Sequence, residues 1–122
     1  MIFLGGVIVP IKYLTNRSRP RHIPSVRRYL NMRKREGTQP SFPSGDSAMA
    51  AFFGGVYIYI FNFNWVFYIL TPLVCLGRVY MHCHWFGDTL FGAIIGSIFM
   101  QVWYSETFFG LLIGPFLRFI FN

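Results

Sequence analysis

The chain has 122 residues, of which 54% are hydrophobic and 12% charged, with a formal net charge of +7 at pH 7. That length holds one domain, and the charge fraction is about half that of an ordinary soluble domain. No charged side chain occurs from Ser47 through Gly77 or from Thr89 through Ser105, which argues against a water-soluble globule and for apolar segments seated in lipid.

In chain order, the first element is the hydrophobic stretch Met1 to Leu14. It lacks a basic leader and a small-residue cleavage site, so it reads as a membrane segment, complete or truncated, rather than a signal peptide. Nine of the eleven Lys and Arg residues then fall between Lys12 and Arg35. Such a block suits anionic lipid head groups or a phosphorylated substrate, and with apolar segments on both sides nucleic acid is set aside as a partner. Within it, Ser25 to Glu36 has the cap, stop and spacing of a short amphipathic helix, with Val26, Tyr29 and Leu30 on one face. A solvated basic loop accounts for the same residues equally well.

Four more apolar segments follow, at 46–61, 65–80, 88–104 and 107–121, separated by breaks at Asn62-Phe63-Asn64 and Ser105-Glu106-Thr107. At about 16 residues each they are short against the ~20 that span a hydrocarbon core, which implies a thin membrane, a buried position or imprecise bounds. Tyr13, Trp65, Tyr80, Trp85, Trp103 and Tyr104 fall near segment ends, where amphipathic rings prefer the head-group layer. Gly92/Gly96 and Gly110/Gly114 have the spacing that lets helices approach closely, here within one chain. Pro72 predicts a kink in the third segment rather than its end. Cys75 and Cys83 form neither a disulfide framework nor a zinc pattern.

If 46–61 crosses and 65–80 returns, the loop at 15–45 and the stretch 78–88 emerge on one face. Three polar motifs then meet there: Lys12, Arg19 and Pro20 as K-x6-R-P, Pro43 to Asp46 as PSGD, and Arg78, His84 and Asp88 as R-x5-H-x3-D. Phosphoryl transfer depends mainly on positioning and on stabilising charge at the non-bridging oxygens. Arg19 and Arg78 offer permanently charged forks for those oxygens and Lys12 a compact charge. Ser44 and Gly45 precede a helix start whose backbone N–H groups suit an oxyanion, and Gly45 removes a side chain from its path. His84 is the natural nucleophile, because imidazole attacks phosphorus to give a phosphohistidine. Asp88, one helical turn on, is placed to hold the other ring nitrogen.

These three motifs resemble those of the type 2 phosphatidic acid phosphatase family, which is related to vanadium haloperoxidases. That pattern is K-x6-R-P, then P-S-G-H, then S-R-x5-H-x3-D, and the match runs in order from Lys12 to Asp88. The resemblance implies an all-α membrane helical bundle, the C-terminal part of a six-helix phosphatase core, filling residues 1–122 as one domain. It also implies that no metal or cofactor is needed. His84 would be the nucleophile, Asp88 its partner, and Lys12, Arg19, Ser44, Gly45 and Arg78 the phosphate-binding set.

Two positions depart from the pattern: Gly77 replaces a serine, and Asp46 replaces the histidine that would protonate the leaving oxygen. Three readings of Asp46 stand open: a protonated acid, a helix-start carboxylate favoured by the dipole, or a site that needs no strong acid. The last fits a diphosphate, whose leaving phosphate is stable as an anion. His82 is an alternative nucleophile without the i+4 carboxylate, and His22 reads as a surface residue. A His82/His84 metal pair lacks further ligands.

The expected function is an integral, multi-pass membrane hydrolase of lipid phosphates or diphosphates, in an endomembrane such as the endoplasmic reticulum or in the plasma membrane. Its partners would be a phosphorylated lipid substrate and membrane lipids, with an oligomer open. The rival is a silent relative that binds phospholipid or a membrane partner through the same basic pocket.

Overall fold

The computed structural model describes residues 2–21, 38–61 and 64–104. Among them are four helices and no strands: α1 (Ile2–Thr15), α2 (Gly45–Phe61), α3 (Asn64–Tyr80) and α4 (Phe86–Tyr104). The all-α expectation holds, and the first four apolar segments match helices to within one or two residues. The fifth segment, the basic stretch 25–36, the break at 105–107 and the Gly110/Gly114 pair lie outside the described residues.

The helix ends are set by short local devices. Asn16, at φ 41°, caps α1 in the left-handed conformation, and its N–H donates to Lys12 O at 3.0 Å. α3 ends in the two-bond version of the same device. There His82 takes φ 52° and donates to Val79 O at 2.9 Å, while Cys83 N–H reaches back to Arg78 O at 3.1 Å. Lys12 and Arg78 thus stand in the last turns of their helices, where the dipole favours cations. Ser44 caps α2, its carbonyl accepting from Ala48 N–H at 3.1 Å and its hydroxyl from Ser47 N–H at 3.4 Å. At the start of α4 the Asp88 carboxylate reaches back to Trp85 N–H at 3.0 Å, half of a capping box.

α2 and α4 make the most extensive helix contact, and small residues are the reason. A Cβ on Gly92 would strike the Ser44 carbonyl, and one on Gly96 the Ala48 carbonyl, so the two backbones touch directly. Ser44, Ser47, Ala48 and Ala51 line the seam from the α2 side and are fully buried. α1 closes over it, with Leu4 and Ile8 packing on Ala48, Met49, Phe52, Ile95 and Phe99. α3 packs on α2 and α4, and runs through Pro72 without ending there. The 92/96 pair therefore works within the chain.

Elsewhere the helices turn large apolar side chains outwards. Tyr68, Leu73 and Leu76 on α3, and Leu90, Ile94, Ile98 and Val102 on α4, are all exposed. α4, with 19 residues, is long and apolar enough to cross a membrane.

Candidate active site

α1 and α3 run towards one end of the bundle, and α2 and α4 start from it. The connecting stretches 16–21, 38–44 and 81–85 meet there. The left-handed turn at His82 brings the chain back over the last turn of α3, so that His84 N–H lies 3.4 Å from Arg78 O. His84 is 2% exposed, at the centre of the cluster.

Both ring nitrogens of His84 have partners, and the two contacts agree on one tautomer. Nδ1 lies 2.8 Å from the Ser41 carbonyl, which only accepts, so Nδ1 carries the proton. Nε2 lies 3.4 Å from Arg19 Nη1, which only donates, so Nε2 presents its lone pair. Burial, followed by the charges of Arg19, Lys12 and Arg78, pushes the imidazole down from 6.5 to about 4, with the Ser41 hydrogen bond opposing. At neutral pH the ring is therefore neutral and nucleophilic.

Two of the three cations, Arg19 and Lys12, are anchored by backbone carbonyls. Arg19 donates from Nε to Gln39 O at 2.8 Å, from Nη1 to Cys83 O at 2.7 Å and from Nη2 to Pro40 O at 3.3 Å. Lys12 Nζ donates to Pro40 O at 3.0 Å. Arg78 is nearly buried, and its Nη2 lies 2.9 Å from Asp46 Oδ2. Lys12 and Arg19 from one part of the sequence, and Arg78 and His84 from another about 60 residues away, are brought together.

Two expected details differ in the structure. Asp88 does not take the ring proton: its Oδ2 is 3.8 Å from Nδ1, because Ser41 O is nearer. Its carboxylate is instead shared between Trp85 N–H and Arg17 Nη1, the latter at 2.8 Å from Oδ1. Ser44 N–H does not point into an anion cradle but donates to Asp88 O at 2.9 Å, and the Ser44 hydroxyl accepts from Ser47 Oγ at 3.0 Å. Gly45 keeps its expected character, with open space where a Cβ would stand. Asp46, for which three readings stood open, lies in the first turn of α2 with Oδ2 2.9 Å from Arg78 Nη2.

Sequence reasoning missed Ser41 and Arg17. A backbone carbonyl carries no signal in the residue type, so Ser41 was beyond reach. Arg17, two residues before Arg19, was legible only as one more charge in a basic block. His82, weighed as a second nucleophile, is the left-handed cap that positions His84.

A cluster of three cations around a neutral, lone-pair-bearing imidazole is an arrangement suited to phosphoryl transfer. The chain matches the PAP2 superfamily over residues 1–115. It belongs to that superfamily, and with it to a class of phosphatase-type hydrolases acting on phosphorylated substrates. Comparison with curated proteins and with solved structures returned no match.

Proposed function

We propose that this chain is an integral membrane phosphatase that hydrolyses a lipid phosphate or diphosphate through a phosphohistidine at His84. The observation that carries the reading is the Nε2 lone pair, held 3.4 Å from the Arg19 guanidinium with the ring proton committed to Ser41. A phosphoryl group whose oxygens engage Arg19, Lys12 and Arg78 would meet that lone pair. Nε2 then bonds to phosphorus as the bond to the leaving oxygen breaks, its electron pair departing with that oxygen. Water next attacks the phosphorus and the P–N bond breaks with its electron pair returning to Nε2; one water proton passes through solvent to the departed oxygen, the other stays on the phosphate, and His84 is restored with its proton on Nδ1.

The outward apolar side chains of α3 and α4 support a lipid setting, since water would leave that area costly to expose. On this reading the cation cluster lies at the boundary between the apolar shafts and water, within reach of a lipid head group.

Phosphate release from the detergent-solubilised protein tests the proposal. Wild-type protein should release phosphate from a lipid phosphate, and His84→Ala should lower the rate by about 1,000-fold or more. Equal rates in the two proteins would end the reading.

The Asp46–Arg78 pair favours a narrower claim about the substrate. With position 46 accepting from Arg78, no proton donor stands there for an alkoxide, whereas a departing phosphate needs none. A prenyl diphosphate should therefore turn over faster than a phosphatidate-like monoester. Asp46→His should raise the monoester rate by about 100-fold while changing the diphosphate rate far less. A parallel change on both substrates would remove the claim. The same pair supports the rival of a silent phospholipid-binding relative, which predicts lipid binding without phosphate release from either substrate.

A further inference from the structure

The described residues hold two carboxylates, Asp46 and Asp88, and both stand at the polar end of the bundle. They are held in opposite ways. Asp88 is fully buried and fixed at both oxygens, by Arg17 Nη1 at 2.8 Å and by Trp85 N–H at 3.0 Å. Among the described residues Asp46 pairs with Arg78 alone, Oδ2 to Nη2 at 2.9 Å, and its side chain is 54% exposed. Burial across that pair is lopsided, because the Arg78 side chain is only 7% exposed. A buried guanidinium stripped of its anion is strongly destabilised, whereas a half-exposed carboxylate that lets go is taken up by water. Asp46 is therefore the partner able to leave, and Arg78 the one that needs a replacement.

Arg78 also belongs to the set of cations whose charge acts on His84. Carboxylate and phosphoryl oxygens engage a guanidinium in the same manner, as charged acceptors on its N–H groups. Asp46 thus sits on Arg78 where a transferred phosphoryl group would be gripped.

We propose that Asp46 is a built-in competitor for the phosphate position: its carboxylate holds Arg78 until a phosphoryl group arrives, yields to it, and returns as phosphate leaves. The exchange is one anion for another, with no covalent step and with the guanidinium paired throughout. Once released, Asp46 needs no new buried partner. It lies in the first turn of α2, where the helix dipole favours an anion, and it is open to water. Its neighbour leaves room for the incoming group, since nothing lies within 4 Å of where a Cβ on Gly45 would stand.

That the incoming anion is a phosphoryl group rests on the phosphatase reading; the exchange itself can be followed without turnover. In turnover it would weaken the hold on product phosphate and so speed its departure. It would also favour the more highly charged head group, because a diphosphate displaces a carboxylate more readily than a monoester does.

The first test uses wild-type protein in detergent micelles. Asp46 and Asp88 are the only aspartates in the chain, so aspartate labelled at its carboxyl carbon gives two NMR resonances, assigned with Asp46→Asn. The probes are inorganic phosphate and a short-chain alkyl phosphonate, whose C–P bond is not hydrolysed. Saturating probe should carry the Asp46 resonance to the position it takes in the unfolded chain, and should move that of Asp88 far less. A response to both probes means that product and head group alike take Arg78; a response to the phosphonate alone confines the exchange to the substrate. An Asp46 resonance that neither probe moves overturns the proposal.

Binding of inorganic phosphate supplies the second test. Asp46→Asn should tighten it by about tenfold or more, an amide being a much weaker rival than a carboxylate. A negative charge acting from a distance would repel phosphate whether or not Arg78 is present. The gain should therefore vanish when Asp46→Asn is added to Arg78→Gln, and a gain of equal size there overturns the proposal. Where Arg78→Gln does not fold, the resonance measurement still decides. Where turnover is measurable, phosphate should inhibit Asp46→Asn at about one tenth of the concentration that inhibits wild-type protein. A chain that shows the exchange but releases no phosphate from a lipid keeps this inference and loses the phosphatase reading. One that turns over with Asp46 still on Arg78 does the reverse.

Discussion

The polar end of the bundle and the shafts beneath it are built on opposite plans. At the polar end Arg19, Arg78, His84 and Asp88 are almost wholly shielded, each tied to a named oxygen or nitrogen. Along the shafts Tyr68, Leu73, Leu76, Ile98 and Val102 stand open. A protein designed for water would reverse both. The contrast shows that shielding here is spent on holding charge in place, while apolar area is left to the proposed lipid surroundings.

The seam joining the two regions gives the largest expected effect. Gly96→Ala drives a methyl group into the Ala48 carbonyl, and backbone cannot yield as a flexible side chain can. We expect a loss of about 3 kcal/mol, the upper end of the usual cost of overpacking, in thermal unfolding of the detergent-solubilised protein. A loss near zero would mean that α2 and α4 do not touch there. The polar end should reveal itself through pH. The unfolded imidazole takes up its proton near 6.5 and the folded one near 4, so between those values the unfolded chain binds more protons. Stability from this group is full above about pH 6.5 and falls as pH drops towards 4, by about 3 kcal/mol in all. Denaturant unfolding at the two pH values measures it, and the His84→Ala protein should lack that slope.

The smallest effects belong to the shafts. Ile8, 6% exposed, lies in the α1 contact with α2 and α4, and Ile8→Ala should cost about 2 kcal/mol or more. Leu73, 63% exposed, meets no such contact, and Leu73→Ala should stay within about 0.5 kcal/mol in detergent. Equal costs at the two positions would erase the distinction between covered and open faces.

Much of this arrangement was legible in the residues. The charge-free runs gave the helices, because a stretch such as 47–61 has one stable backbone state once water is excluded from it. Gly92 and Gly96 announced the seam, since only residues without side chains permit backbones to touch. The spacing of Lys12, Arg19, Arg78 and His84 gave the cluster. The pairing of Asp88 with His84 was less secure, for an i+4 spacing fixes proximity and not partnership. Arg17 competes for that carboxylate across 71 positions of sequence. Ser44 shows the same limit: its N–H suited an anion by local rule, until α4 packed close enough to supply the Asp88 carbonyl. Asn16 and His82 are both residue types enriched in the left-handed conformation, but nothing in the spacing around His82 marked it as a cap rather than a nucleophile.

The glycine seam has a mechanical consequence. With Ser44 N–H bonded to Asp88 O just above the point where Gly92 meets Ser44, α2 and α4 form one stiff unit carrying both residues. Under the proposed function, the movement that admits a phosphorylated substrate to His84 then falls to elements outside this pair, with α2 and α4 as the fixed jaw.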